Sequence, residues 1–182
     1  MPLFGPDIQI HDSTFVHDSA QIYGKVALAE DVSVWPNVVI RAEMYEIAIG
    51  AGTNIQDFVM VHVGGACGTR VGSNCSITHH ATLHGCDIGD NCLIGINATL
   101  MDGVKIGNNC IVAGHAILTE GSEFPDNAVI AGVPAKQVGT KDSSAANKIN
   151  ARFYQCNARN YRNGIYRFSD ADIEWAFNLG TD

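Results

Sequence analysis

Aliphatic or aromatic residues recur at every sixth position through most of this chain, and this period constrains the fold more than any other feature. Twenty positions share the register: Ile10, Val16, Ile22, Leu28, Val34, Ile40, Ile49, Ile55, Val61, Val71, Ile77, Leu83, Ile88, Ile94, Leu100, Ile106, Val112, Leu118, Phe124 and Ile130. Neither the period of an amphipathic helix nor the two-residue period of a strand explains the pattern. A period of six predicts a parallel β-helix, in which three hexapeptides form one triangular coil and the coils stack.

The register is interrupted three times, by three extra residues after Ile40, four after Val61 and one missing residue after Leu83. A β-sandwich with glycine-rich turns is the alternative, but a sandwich does not require one six-residue register along its length. We therefore predict an all-β solenoid over residues 8–136.

After residue 136 the pattern changes to one typical of helices. Within residues 141–164, side chains such as Ile149, Phe153 and Cys156 recur at helical spacing. Ser169 and Asp172 match a capping box at the start of a second short helix. We predict a C-terminal α-helical segment, residues 141–180, that packs on the β-helix.

Residues on the same face of successive coils form vertical columns. One face carries Ile40, Val61, Leu83 and Leu100, and the preceding face carries Ile55, Ile77, Ile94 and Val112. Cys75, Cys92 and Cys110 each lie two residues before a member of the second column, so strand alternation points them inward. We interpret them as buried thiols, with an interior disulfide as the alternative.

Composition excludes several classes of partner. The 182 residues suffice for one domain with a core, 46% of them are apolar, and the net charge is −8. Basic runs are absent from the sequence, so neither nucleic acid nor an anionic membrane surface is an expected partner. The first residues, MPLFGPDIQIHDS, contain no apolar stretch long enough for a signal peptide or a membrane span, and we expect a cytoplasmic protein.

The residue after each member of the first column forms a further column: Arg41, His62, His84 and Met101. His62 and His84 are consecutive, so their backbones should lie one strand spacing apart, about 4.8 Å, which suits two ligands of one metal ion. His79 belongs to the preceding face and should point away from them within one chain. Because zinc takes three or four protein ligands, these positions predict a site shared between neighbouring chains, most simply in a trimer.

The other histidines have simpler interpretations. His11, His17 and His115 are expected on the surface, and His80 should face the opposite side of the strand from His79. The residues alone leave open whether three ligands converge.

Four segments carry a resemblance to a known family. They are Arg41-Ala42-Glu43, Thr53-Asn54-Ile55-Gln56-Asp57, Val61-His62-Val63 and His79-x4-His84-Gly85-Cys86. In order, spacing and residue type they resemble the γ-class carbonic anhydrases, over residues 10–136. The turn at residues 131–136, AGVPAK, resembles the closing turn that this family shares with hexapeptide acyltransferases.

The resemblance implies a left-handed β-helix and a homotrimer with inter-subunit metal sites. By matching position, His62, His79 and His84 would bind the metal, expected to be Zn2+, although imidazole ligands also accept Fe2+ or Co2+. The resemblance also implies that Asn54 and Gln56 line the site as catalytic residues, that Tyr161 approaches it from the terminal helix, and that Arg41, Glu43 and Asp57 form an ionic network at the trimer interface.

The implied reaction is that of a carbonate dehydratase, a lyase in which metal-bound hydroxide attacks CO2 to give bicarbonate. Active relatives carry an acidic proton-shuttle loop after the first ligand. Residues 64–70 here, GGACGTR, contain no carboxylate, so we expect low activity. Two alternatives remain: an acyltransferase or thioesterase that acts on coenzyme A esters with His115 as general base, and a catalytically silent scaffold that keeps the metal for structure.

Overall fold

A computed structural model describes residues 5–179 as a stack of short strands followed by two helices. The strands are β1 (Gln9–Ile10), β2 (Phe15–Val16), β3 (Gln21–Leu28), β4 (Ser33–Val34), β5 (Val39–Ile49), β6 (Asn54–Ile55), β7 (Met60–His62), β8 (Thr69–Val71), β9 (Ser76–Ile77), β10 (Thr82–His84), β11 (Asp87–Ile88), β12 (Leu93–Ile94), β13 (Thr99–Leu100), β14 (Lys105–Ile106), β15 (Ile111–Val112), β16 (Ile117–Leu118), β17 (Glu123–Phe124), β18 (Ala128–Gly132) and β19 (Ala135–Thr140). The helices are α1 (Ser144–Arg162) and α2 (Asp170–Phe177).

The strands build a parallel β-solenoid of about 7 turns, which confirms the predicted fold class. In the described part of the chain, a sheet of 11 strands covers two sides of the prism and a sheet of 8 strands covers the third. The first sheet is continuous round one corner because β5 pairs with β7 through its first half and with β8 through its second half.

The six-residue register determines the core. All of the repeat positions are buried except Ile10, Val16 and Phe124, which are partly buried and pack against the core near its ends. The column through Ile40 and Val61 has the predicted register, and it continues through β10, β13 and β16. Burial of one such aliphatic side chain is worth about 1.5–3 kcal/mol, so the stacked columns supply the main stabilisation of the solenoid.

The three interruptions of the repeat correspond to three irregular corners. The first is an outward bulge at residues 43–46, where the partner of Gly24 is Ala42 but the partner of Val26 is already Ile47. The second is a loop at residues 63–68 between β7 and β8. The missing residue tightens the turn after β10, where Gly85 has a φ of 59°. The second and third corners begin directly after His62 and His84, and the bulge in β5 follows shortly after Arg41, which pairs with His62.

The interior cysteines are free thiols, as predicted. Cys75, Cys92 and Cys110 are completely buried, and the Cys92 amide donates a hydrogen bond to Cys75 Sγ at 3.3 Å. Each of these thiols lies within hydrogen-bond distance of main-chain carbonyl oxygens. All six cysteines are unpaired.

The C-terminal segment adds a hairpin and two helices. The antiparallel pair β18–β19 follows the last coil and is not predicted by the repeat. Helix α1 begins at Ser144, three residues after the expected start, and packs across β2, β4, β6 and β9. The predicted capping box is confirmed, with both reciprocal hydrogen bonds between Ser169 and Asp172 at the start of α2. Residue 180 of the expected segment lies outside the described residues. Within residues 5–179, neither helix is long and apolar enough to cross a membrane.

Candidate metal centre

The register of β5, β7 and β10 brings two of the candidate ligands together. His62 on β7 pairs with His84 on β10, as the column count predicts, and Arg41 is their neighbour on β5. Both histidines project outward because the residues before them, Val61 and Leu83, are fully buried in the core. His62 Nδ1 lies 3.1 Å from His84 Nε2, and the ring centroids are 5.0 Å apart.

A carboxylate faces the opposite nitrogen of each ring. Glu43 Oε2 lies 3.0 Å from His62 Nε2, and Asp102 Oδ1 contacts His84 Nδ1. A carboxylate only accepts hydrogen bonds, so the ring nitrogen that faces it carries the proton in a neutral imidazole. The two nitrogens that face each other across 3.1 Å are then both unprotonated. Their lone pairs repel, and a cation between them removes the repulsion.

Glu43 connects the histidine pair to the predicted ionic network. Its Oε1 contacts the Arg41 guanidinium, while its Oε2 faces His62. Desolvation raises the pKa of Glu43, but the hydrogen bonds with Arg41 and His62 outweigh it and the pKa is lowered overall. Glu43 therefore remains an acceptor at neutral pH, a role beside His62 that the sequence pattern does not reveal.

Asp102 is a residue of the centre that the sequence pattern does not single out. Its Oδ1 contacts His84, and its Oδ2 accepts a hydrogen bond from the Gly65 amide at 3.0 Å. Hydrogen bonds from His84 and from the Gly65 amide hold the pKa of Asp102 below its usual value. Its position, one residue after Met101 and one coil beyond His84, is the signal from which it could be found.

Thr69 fixes the spacing of the histidine strands from inside. Its hydroxyl donates to the His62 carbonyl oxygen at 2.6 Å and accepts from the Gly85 amide at 3.0 Å. Thr69 is fully buried, and Gly85 directly follows His84. The hydroxyl thus links the backbone of His62 to the backbone amide that follows His84.

The third candidate ligand, His79, lies on the turn between β9 and β10. Its Nδ1 is 3.1 Å from Asp57 Oδ2, which leaves Nε2 for another partner. Within residues 5–179 of one chain, no three His, Cys, Asp or Glu side chains are grouped so as to hold a metal ion. His80 stacks on Phe58 with ring centroids 4.8 Å apart, an arrangement typical of a packing residue.

Asn54 and Gln56 form a buried amide chain on the neighbouring face. Asn54 Nδ2 donates to the Cys75 carbonyl at 3.1 Å and to Ser76 Oγ at 3.0 Å, and Asn54 Oδ1 accepts from Gln56 Nε2 at 2.9 Å. Both side chains are almost completely buried. Gln56 is therefore held in one orientation by Asn54.

Tyr161 contributes to the docking of α1 on the prism. Its ring packs edge-on against Trp35 at 5.0 Å between centroids, and it also contacts Phe15 and Tyr166. These contacts are those of a packing residue, and a catalytic role for Tyr161 stays a prediction. The remaining histidines pair with small polar residues: His11 with Ser13, His17 with Ser19 and His115 with Asn97.

Comparison with known proteins shows which proteins this chain is similar to. A family model described as bacterial transferase hexapeptide (six repeats) matches residues 85–120. Gamma carbonic anhydrase 2, mitochondrial, of Arabidopsis thaliana is 36% identical over 110 residues, which are 57% of this chain and 40% of that protein. Protein YrdA of Escherichia coli (strain K12) is 39% identical over 101 residues, which are 52% of this chain and 55% of that protein. The chain is therefore similar to γ-carbonic anhydrases and to other hexapeptide-repeat proteins.

The fold of this chain is also similar to that of a solved structure. The crystal structure of a hexapeptide transferase family protein from Anaplasma phagocytophilum superposes with a TM-score of 0.82 at 28% identity, covering 88% of this chain and 96% of that one. The coil is accordingly a left-handed β-helix. The chain spans 40% of the length of the Arabidopsis relative and 55% of the length of YrdA. Because relatives include mitochondrial and bacterial proteins, a cytoplasmic location stays a prediction.

Proposed function

We propose that this chain is a lyase that hydrates carbon dioxide at metal sites shared between neighbouring chains of a homotrimer. The observation that carries the proposal is the facing pair of ring nitrogens, His62 Nδ1 and His84 Nε2, whose opposite nitrogens are both held by carboxylates. Similarity to a protein named gamma carbonic anhydrase supports the same class of reaction.

The donor set suits a zinc ion. Two nitrogens bound to a tetrahedral zinc at 2.0–2.1 Å lie roughly 3.3 Å apart, and the two histidine nitrogens lie 3.1 Å apart. His79 of the neighbouring chain would supply the third nitrogen, Nε2, because Asp57 holds Nδ1 and the side chain is 40% exposed. Iron(II) and cobalt(II) accept the same ligands.

A divalent ion held by three neutral imidazoles supplies Lewis-acid activation of water near neutral pH. The residues of the chain supply orientation. Glu43 and Asp102 keep the imidazoles in fixed tautomers, each with one nitrogen free for the ion. Gln56, held by Asn54, is an amide that positions the attacking water or the bicarbonate product.

The rate of this reaction is expected to be low. Fast hydration requires a group that exports the proton from the attacking water. The loop at residues 64–70 contains no carboxylate, so buffer has to take the proton more directly. We therefore expect hydration that accelerates with rising buffer concentration.

Acyl transfer is the competing function, supported by the likeness to a hexapeptide transferase family protein. His115 would act as general base in that case, but its ring contacts the Asn97 side-chain amide at 3.5 Å, and within residues 5–179 no carboxylate forms an ion pair with it. Lys105, one of the few cations near the C-terminal coils, lies 2.7 Å from Glu123. The metal-centred function is the better supported of the two.

The test compares three purified proteins: the native chain, His84→Ala and the control His115→Asn. Metal per chain is measured by elemental analysis after anaerobic purification, and carbon dioxide hydration is followed with excess metal over a range of buffer concentrations. We expect about one metal per chain in the native protein and in His115→Asn, with loss of both metal and hydration in His84→Ala.

Each contrary result refers to a different part of the proposal. Metal without hydration would contradict the anhydrase reaction and support a silent scaffold. Acyl transfer from a coenzyme A ester that is lost in His115→Asn would support the transferase. A native trimer without metal would contradict the site itself.

A further inference from the structure

Asp102 makes two contacts with two separate oxygens. Oδ1 contacts His84 Nδ1, and Oδ2 accepts the Gly65 amide at 3.0 Å. Gly65 belongs to the loop that follows His62, so one carboxylate joins a candidate ligand on β10 to the segment that follows the other candidate ligand on β7. The loop closes on the same corner elsewhere, since Cys67 Sγ donates to the Gly85 carbonyl at 3.2 Å.

A carboxylate satisfies this geometry because it presents an acceptor oxygen to each of the two donors. Both Nδ1–H of His84 and N–H of Gly65 are donors, so the group between them has to present two acceptors. An amide of the same shape has one acceptor oxygen and an NH2 group, which would place a donor against one of the two donors. The side chain is about one-third exposed, so its loss would leave no large cavity in the core.

We infer that Asp102 is a positioning residue, which fixes His84 with Nδ1 as donor and Nε2 as ligand nitrogen and connects the loop at residues 63–68 to the histidine pair. The inference rests on the proposed function, because it assigns the Nε2 atom to the metal. It adds a carboxylate that is not part of the four segments quoted for the resemblance, and it gives the loop a structural connection to the site.

Asp90 provides the matched control. It lies two corners earlier in the coil and accepts the Ser73 amide at 2.7 Å, much as Asp102 accepts the Gly65 amide. Asp90 is exposed, its carboxylate accepts the Ser73 amide, and its own backbone amide donates to Asn108 Oδ1, so its contacts lie apart from the histidine pair. Asp90→Ala therefore removes an equivalent backbone contact without touching the centre.

The experiment uses the full-length chain with Asp102→Ala, Asp102→Asn and Asp90→Ala. Zinc affinity is measured by competition with a chromogenic chelator, and cobalt absorption spectra report the ligand geometry. In metal-free protein, nitrogen-15 spectra of labelled histidine give the His84 tautomer, and amide exchange reports the Gly65 hydrogen bond. Loss of a carboxylate beside a ligand histidine lowers metal affinity by about 10–100-fold.

We expect that loss in Asp102→Ala, together with a mixed His84 tautomer and faster Gly65 exchange, while Asp90→Ala matches the native protein. Asp102→Asn should keep one of its two hydrogen bonds and lose the other. Native zinc affinity in Asp102→Ala, or an unchanged His84 tautomer in the metal-free variant, would overturn the inference. If the native protein binds no metal, the proposed function fails, but the metal-free spectra still decide whether Asp102 positions His84.

Discussion

Replacing Gly85 with alanine should destabilise the protein through the loop that borders the histidine pair. Gly85 has a φ of 59°, and a β-carbon built there lies 2.8 Å from Gly64 Cα, 2.9 Å from Gly64 N and 2.9 Å from Cys67 Sγ. Non-bonded carbon atoms prefer separations of about 3.5–4.0 Å. Two of the three atoms belong to the backbone, so the loop has to move.

Gly121→Ala distinguishes the strain of a left-handed backbone from the clash of the new β-carbon. It has a φ of 69°, but a β-carbon there meets no atom within 4 Å. Gly121→Ala should therefore cost only the left-handed backbone strain, about 1–2 kcal/mol, reduced by about 0.4–1 kcal/mol because alanine restricts the unfolded chain. Gly85→Ala adds overpacking worth about 1–3 kcal/mol.

Urea unfolding at one fixed protein concentration, followed by circular dichroism, gives the two free energies of unfolding. We expect Gly85→Ala to be the less stable variant by about 1–3 kcal/mol. Amide exchange across residues 63–68 should accelerate in Gly85→Ala alone. Equal losses of stability in both variants would refute the close packing of the loop against Gly85.

Three further predictions concern the core, the tail and the thiols. Leu83→Ala removes a fully buried side chain, that of the residue before His84, and should lower the free energy of unfolding by about 2–5 kcal/mol. Urea titration measures this loss against the exposed control Ile117→Ala. Ser169→Ala should cost the tail about 1 kcal/mol. Hydrogen bonds from the Cys156 thiol and from Ser169 hold the pKa of Asp172 well below its usual value. The contribution of the capping box to stability is therefore complete at neutral pH, and it is lost as the pH falls from about 4 through the lower folded-state pKa. Amide exchange in α2 measures the effect of Ser169→Ala and this pH dependence. Cys67 should react with a thiol reagent in the native protein before the buried cysteines do, because burial raises the pKa of a thiol such as Cys86, and mass spectrometry of partially labelled protein would contradict this if Cys86 were labelled first.

The repeat predicts the fold and the histidine pair because a strict period fixes which residues become neighbours in successive coils. His62 and His84 could be paired by counting, and the inward direction of Cys75 and Cys92 followed from strand alternation. Counting along the repeat does not predict the conformation of irregular corners. The partnership of Asp102 with His84 and Gly65 depends on where the loop after β7 folds back, and the hairpin β18–β19 depends on the turn after the last coil.

The capping box could be predicted from local sequence alone. Ser169 and Asp172 lie three residues apart and satisfy each other without any tertiary information. The start of α1 was harder to place because Ser143, at its N-cap, accepts no side-chain capping hydrogen bond. The third ligand is a different problem, since His79 lies apart from the pair in one chain and its role depends on a neighbour.

Mixed trimers test the central claim most directly, because a site shared between chains can be restored by combining two inactive variants. Chains with His79→Ala are unfolded and reassembled with an equal amount of chains with His84→Ala, and metal per chain is measured in the resulting trimers. Each mixed trimer contains one interface with all three ligands, so random assembly should restore about one quarter of the native metal content, while each variant alone binds none. Mixed trimers that bind no more metal than the parent variants would contradict a metal site shared between chains.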